Sequence, residues 1–477
     1  MKAVFRKNIA CALALFSFTF SMPSLYATTQ SRAKTTAKPV VQESAQPENA
    51  FTKDGFIEDL QKAIYGSGFN AALDLYSTVP AEFENDKDLL IIKASLYISA
   101  NKYADAQKIC TKLLATDSKN EDVLSLAATV AKAQNRTSDW NKYIKALLDL
   151  DQYNSDANIA VAQDYFTRKL YKQSRQYYTK ALVRDSRNMD ALFGLGQTSY
   201  YLEDDDKAKS TFKKMIEIDP DCAPAYAYLG KICAANEEYR AASQYVLEAV
   251  VRDETNYDYI MDYGMYERYQ GHFDEAAKAW TTAIGLEPDY FLAYAYRAGL
   301  YDEQDMFSEA LNDYAMVVKT NPDYYYAYES MGILYLHEKQ WKKAREAFMK
   351  CYEKNQNNIS YPLMVTYCYY MEKDTPNAKK FSDSVLRKLN RNSLDYAMLR
   401  VFHDLAGEGP LPQKISALTS SNEKGKMYFY LALLYDMVGG IEASNKYYME
   451  VVKLNCPMFF EYRIAEWRVG DIKNVKN

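Results

Sequence analysis

The chain has 477 residues, 48% of them hydrophobic and 25% charged, with only 17 Gly and 13 Pro. That composition excludes collagen-like and low-complexity polymers and leaves an ordered, helix-rich protein. The length exceeds one ordinary core and points to several domains or an elongated repeat array. With 58 basic against 63 acidic residues and no basic cluster, the chain lacks the counterion-releasing surface that a nucleic acid requires.

Residues 1–27 carry Lys2, Arg6 and Lys7, then an apolar run from Ile9 to Phe20, then Pro23 and the small residue Ala27. This is the pattern of a secretory signal peptide, with cleavage expected after Ala27. An apolar run of about 12 residues is too short to span a bilayer, and no later run reaches about 18. Cys11 lies at the start of the run, so it cannot serve as a lipid-accepting cysteine of the bacterial type. The expected mature protein is exported and not membrane-spanning, with the periplasm as first location and secretion as second. Loss of the three leader cations leaves 55 basic against 63 acidic residues, about −8.

Residues 28–52 are rich in Thr, Ser, Gln, Lys and Ala, with two prolines, and hold too little apolar surface to order themselves, so they predict a disordered linker. From 53 to 392 the sequence repeats with a step of 34. Counted from starts at 155, 189, 223, 257, 291 and 325, position 8 is small throughout: Ala162, Gly196, Gly230, Gly264, Ala298 and Gly332. Position 20 is Ser174, Ala208, Ala242, Ala276, Ala310 and Ala344, and position 24 is Tyr178, Phe212, Val246, Trp280, Tyr314 and Phe348. Small residues let two helices approach, and the larger residue fills the space beside them. Pro220, Pro288 and Pro322 at position 32 stop the second helix.

This pattern resembles the tetratricopeptide repeat (TPR), in which every repeat is a pair of antiparallel helices. The resemblance implies an all-α, right-handed α-solenoid of about ten helix pairs over 53–392, surest at 155–358. After a Gly- and Pro-rich loop at 404–424, the pattern restarts near Gly425 and ends in a last helix able to cap the stack. Residues 393–477 are thus expected to form an irregular helical TPR-like module. Here "YFYLALLYDMVGG" and the F-x-E-x-R of Phe459, Glu461 and Arg463 resemble the carboxyl-terminal part of NlpI-like periplasmic TPR proteins. That likeness covers about one sixth of the chain, and the chain departs from the family in having about twice the repeats and no lipid-anchoring cysteine. It implies a scaffold of the bacterial cell envelope that gathers proteases and cell-wall hydrolases, often as a homodimer.

Chemistry is sparse. His272, His337 and His403 are far apart, and no nucleophile elbow, phosphate loop or metal-ligand cluster occurs, so no catalytic residue, metal or cofactor is expected. Of the six cysteines after the leader, Cys110, Cys233 and Cys351 occupy small-apolar repeat positions, which favours buried thiols. Cys351 with Cys368 is the pair to examine for a disulfide.

What a TPR stack offers is a groove lined by the first helix of each repeat. Positions 5, 9, 12 and 13 place Phe166, Phe193, Gln197, Tyr200, Tyr201, Lys231, Met265, Arg268, Tyr269, Leu336, Tyr367 and Tyr370 there. Aromatics, Met and Arg are the residue types that anchor protein partners. The recurrent Asp at position 2 suits a helix N-terminus rather than an acidic rail. Positions 5 and 9 lack the lysine and asparagine by which chaperone-binding TPR domains hold a terminal carboxylate. The expected function is an exported scaffold or adaptor that binds protein or peptide partners of the cell envelope through this groove. The alternative is a regulatory or activating subunit of an envelope protease or cell-wall hydrolase acting through 393–477.

Overall fold

A computed structural model describes the backbone of residues 51–476 and the side chains through 472. The proposed leader and nearly all of the linker lie outside the described residues. Among the described residues all regular structure is helical. The chain divides into two compact units, Met1–Glu254 and Thr255–Asn477, at a boundary inside the run of repeats.

In the first unit the first helices of successive repeats are Lys53–Ser67, Lys87–Ser99, Glu121–Ala133, Ser155–Thr167, Met189–Tyr201 and Ala223–Ala235. Each packs against the helix that follows it, and from Lys87–Ser99 onward every start lies one full repeat step beyond the last. In the second unit the series continues with Tyr257–Tyr269, Phe291–Glu303 and Tyr325–His337, while Ser360–Met371 begins one residue late. Its first turn accepts Pro362, where the missing N–H would have had no partner. Beyond it come Leu394–Asp404, the short Leu411–Ser416, the pair Ser421–Met437 and Ile441–Lys453, and the last helix Phe460–Lys476.

The repeat positions explain the packing. Ser174, Ala208, Ala242, Ala276, Ala310 and Ala344 are all fully buried. Three of the four glycines at position 8 meet the ring at position 24 so closely that a Cβ has no room, while Gly230 lies against Val246 and the Ala242 carbonyl. On Gly264 it would lie 2.5 Å from Nε1 of Trp280, on Gly196 2.6 Å from Phe212, and on Gly332 2.8 Å from Phe348. Where position 8 is Ala162 or Ala298, position 24 is a tyrosine instead. Tyr178 then leans on Gly194 of the next repeat, and the hydroxyl of Tyr314 donates to Asp302 at 3.4 Å. The space beside position 8 is thus filled differently from repeat to repeat, by a ring against glycine, by Val246 against Gly230, or by alanine with a tyrosine that points elsewhere.

Helix ends are set by local chemistry. Asn120, Asn154, Asn188 and Asn256 cap first helices by accepting the N–H three residues on. At the turn inside each pair the chain passes through a left-handed residue at position 15: Asn101, Asn135, Lys169, Glu203, Glu237, Gly271, Asp305, Lys339 and Lys373. The following N–H then reaches back to the carbonyl of position 11, as His272 does to Glu267 at 3.0 Å and Leu170 to Tyr165 at 2.8 Å. This is the Schellman closure of the first helix. Only one of these nine residues is glycine, so the turn is imposed by the packing of the pair on either side.

Among the described residues every cysteine is a free thiol. Cys110, Cys233, Cys351 and Cys368 are buried, so the Cys351–Cys368 pair is not bridged. Burial pushes the Cys110 thiol up to about 11.

Gly264→Ala drives a methyl group into the fully buried Trp280 and should cost about 1–3 kcal/mol. Gly299→Ala, on the open side of the next first helix where nothing lies within 4 Å, should instead stabilise by about 0.5–1 kcal/mol through helix propensity. Urea unfolding of the two variants side by side checks both signs.

Candidate partner-binding site

In the first unit the first helices Ser155–Thr167, Met189–Tyr201 and Ala223–Ala235 lie side by side. Along them runs a continuous series of ring contacts. Phe166 meets Tyr171 at 5.4 Å and Tyr201 at 5.5 Å, and Tyr171 stacks on Tyr201 at 5.0 Å. Tyr200 meets Tyr201 at 5.5 Å and Tyr228 at 5.9 Å, and Phe193 meets Tyr228 at 5.6 Å. Tyr228 in turn stacks on the core residue Phe212 at 4.9 Å. Lys231 holds its ammonium 5.5 Å above the Tyr228 ring, and Nε2 of Gln197 donates to the Tyr228 hydroxyl at 2.8 Å. Burial raises the Tyr228 phenol above its ordinary value, opposed by Lys231, so it stays a neutral donor and acceptor at physiological pH.

The structure therefore brings Phe166, Phe193, Gln197, Tyr200, Tyr201 and Lys231 onto one face. Tyr201 is 41% exposed and the other five are half-buried. Two members of the ladder, Tyr171 and Tyr228, escaped the sequence reading. A signal for Tyr171 was available, because position 17 repeats as Tyr103, Tyr171, Tyr239, Phe273, Phe307 and Trp341. Tyr228 at position 6 has no such periodic companion in every repeat.

In the second unit Met265 is half-buried and Tyr269 is 48% exposed, while Arg268 pairs with Glu303 at 2.7 Å. Further along the same face the chain covers itself. The last helix packs on Ile441–Lys453 and also reaches Tyr325–His337, so it does more than close the end of the stack. Arg463 donates to the Asp302 carboxylate at 2.7 Å and to its backbone carbonyl at 2.9 Å. Trp467 lies 4.4 Å from the His337 ring and 5.8 Å from Phe307, with the Arg463 guanidinium 4.6 Å above it. Leu336 is buried in the core shared with this module. Tyr367 packs beside Trp341, and the Tyr370 hydroxyl donates to the carbonyl of His403. These three groove positions are thus engaged by the chain's own residues.

The F-x-E-x-R residues make these contacts. Phe459 lies against Gly425, where a Cβ would be 2.5 Å from its ring. Glu461 accepts from the buried Tyr430 at 2.6 Å, and Arg463 reaches Asp302. Beneath them Glu329 accepts from Tyr361 at 2.6 Å, and its burial holds that carboxyl above the usual range. Among the described residues no group of three or more His, Cys, Asp or Glu is placed to hold a metal ion, and no helix is long and apolar enough to cross a membrane.

Tetratricopeptide-repeat family models match residues 190–221 and 262–315, so the chain contains tetratricopeptide repeats. No curated protein matches the chain. Among solved structures, YrrB, described as a TPR protein with an unusual peptide-binding site, is 21% identical over 41% of this chain and 97% of its own, with a TM-score of 0.34. Pseudomonas aeruginosa pilF is 20% identical over 45% of this chain and 96% of its own, at 0.34. The Cut9–Hcn1 hetero-tetramer structure is 17% identical over 66% of this chain and 63% of that one, at 0.40.

Burial raises Asp302 above its ordinary carboxylate value, and Arg463 opposes that shift. The folded chain therefore holds the Asp302 proton more tightly than the unfolded chain does. This group's contribution is full below the unfolded value and is lost as pH rises through the folded one. Arg463→Met removes the opposing charge and should destabilise the chain by roughly 2 kcal/mol at pH 7, because a mostly buried carboxylate is left unpaired. The loss should shrink as pH falls and Asp302 takes up its proton, as read by urea unfolding followed through far-ultraviolet circular dichroism.

Proposed function

We propose that this protein is a binding scaffold whose working surface is the aromatic face of the first unit, from Phe166 to Lys231, and that it acts in the bacterial cell envelope after export. The observation that carries the reading is a difference between two stretches built alike. The first-helix face of the second unit is engaged by the chain's last helix, whereas in the first unit the Tyr171–Tyr201 stack keeps Tyr201 41% exposed. Tyrosine gives large contact area at low entropy cost on docking.

The envelope setting rests on the leader-like residues 1–27 and on the resemblance of residues 425–463 to NlpI-like proteins. A regulatory role exerted through residues 393–477 is less favoured, because Glu461, Arg463 and Trp467 make internal contacts. Binding of protein or peptide partners, with no chemical step of its own, is the activity proposed.

Capture of envelope proteins on the immobilised chain, identified by mass spectrometry, is the direct test. Phe166→Ala with Tyr201→Ala should weaken capture of a specific partner by at least about tenfold, near 1.4 kcal/mol. Val251→Ser, at an exposed apolar residue on the second helix of its pair, should leave capture unchanged. Capture insensitive to the double change, but lost on Arg463→Met, would move the activity to the carboxyl-terminal module. Export is checked separately: amino-terminal sequencing of the protein from a soluble envelope fraction should begin at Thr28, and an intact leader in detergent extracts overturns it.

A further inference from the structure

The last helix seated in the second unit offers a template for what the first unit receives. Phe307 at position 17 meets His337 at position 13 of the next repeat, with ring centroids 4.8 Å apart, and Trp467 lies over both. Four repeats earlier the same two positions are Tyr171 and Tyr201, stacked at 5.0 Å, and Tyr201 is 41% exposed. Among the described pairs of these positions that lie wholly within the first unit, only this one is aromatic at both. The residues that receive Arg463 differ, however. Asp302 is replaced in register by Phe166, and Asp305 by Lys169. Acceptors for a cation thus become a ring and a cation, while the aromatic seat is retained.

Resting on the groove reading above, we propose that the first unit binds an amphipathic helix of a partner protein. That helix carries an aromatic side chain on the Tyr171–Tyr201 pair and an apolar side chain, in place of an arginine, one turn earlier against Phe166. Residues four apart share a helix face, as Arg463 and Trp467 do, so the motif is an apolar residue followed four positions later by Trp or Phe. Arginine at the first position loses both carboxylates that hold Arg463 in the second unit and meets Lys169 in place of Asp305.

The probe is a stapled, fluorescein-labelled peptide of residues 460–472 carrying Arg463→Leu, titrated against the full chain by anisotropy. Binding of the leucine peptide at least about tenfold tighter than that of the unaltered peptide is expected. Tyr201→Ala in the full chain removes the aromatic seat that both peptides use and should weaken the leucine peptide at least about tenfold. Phe166→Asp supplies the missing carboxylate and should reverse the order, so that the arginine peptide binds more tightly. A variant that merely loosened the fold would weaken both peptides together and could not reverse their order.

Equal binding of the two peptides, or tighter binding unaffected by Tyr201→Ala and Phe166→Asp, overturns the inference, the latter because the peptide would then be displacing the last helix of the second unit. If partner capture falls with Phe166→Ala and Tyr201→Ala but no helical peptide shows the expected order, the groove reading stands and the helical ligand falls.

Discussion

The approach of two helices to within touching distance of one another's backbones is the constraint from which the rest of the structure follows. It requires that position 20 carry almost nothing and that position 8 stay small beside the residue at position 24. Glycine pairs with Phe212, Trp280, Phe348 or Val246, and alanine pairs with a tyrosine, of which Tyr178 leans on Gly194 of the next repeat and Tyr314 donates to Asp302 of its own. A pair of amphipathic helices cannot bury its apolar faces alone, so each pair also needs its neighbour. Within each unit the first helices that result present one face, and that face is where side chains are free to vary.

The left-handed turn at position 15 follows from the same closeness. Antiparallel helices that touch must reverse direction within a very short turn, and the carbonyls at the end of the first helix need donors as the chain leaves it. Eight of nine repeats accept the conformational cost of a non-glycine residue there. This is why the turn was illegible in the sequence. A glycine once in every repeat would have announced it, whereas Lys169, Glu203 and Asp305 are indistinguishable from ordinary surface residues. The helix pairs themselves were legible, because buried positions tolerate few side-chain types and so print a period on the sequence. For the same reason the aromatic at position 17, which is half-exposed and missing from some repeats, gave a fainter signal than position 24.

The candidate site was legible in part. Which helices face the groove follows from the phase of the repeat, and Phe166, Phe193, Gln197, Tyr200, Tyr201 and Lys231 do share one face. What the phase does not carry is which stretch of the face the carboxyl-terminal helix engages. The Arg463–Asp302 contact joins residues 161 apart in sequence, and no local pattern encodes a pairing over that distance. Leu336, Tyr367 and Tyr370 satisfy the same positional rule as Tyr201, yet they meet residues of the carboxyl-terminal module.

That divergence also shows how a repeat array acquires specificity without changing its fold. The aromatic seat made by positions 17 and 13 belongs to the scaffold, since it recurs four repeats apart with similar spacing between rings. The residues at positions 12 and 15 vary from repeat to repeat, so Asp302 and Asp305 in one unit correspond to Phe166 and Lys169 in the other. A carboxylate pair selects a cationic side chain and rejects an apolar one, because either mismatch leaves a charge without compensation in a partly dry groove. Exchanging two side chains beside a constant aromatic platform therefore suffices to turn a seat for the chain's own Arg463 and Trp467 into a seat that this helix does not fit.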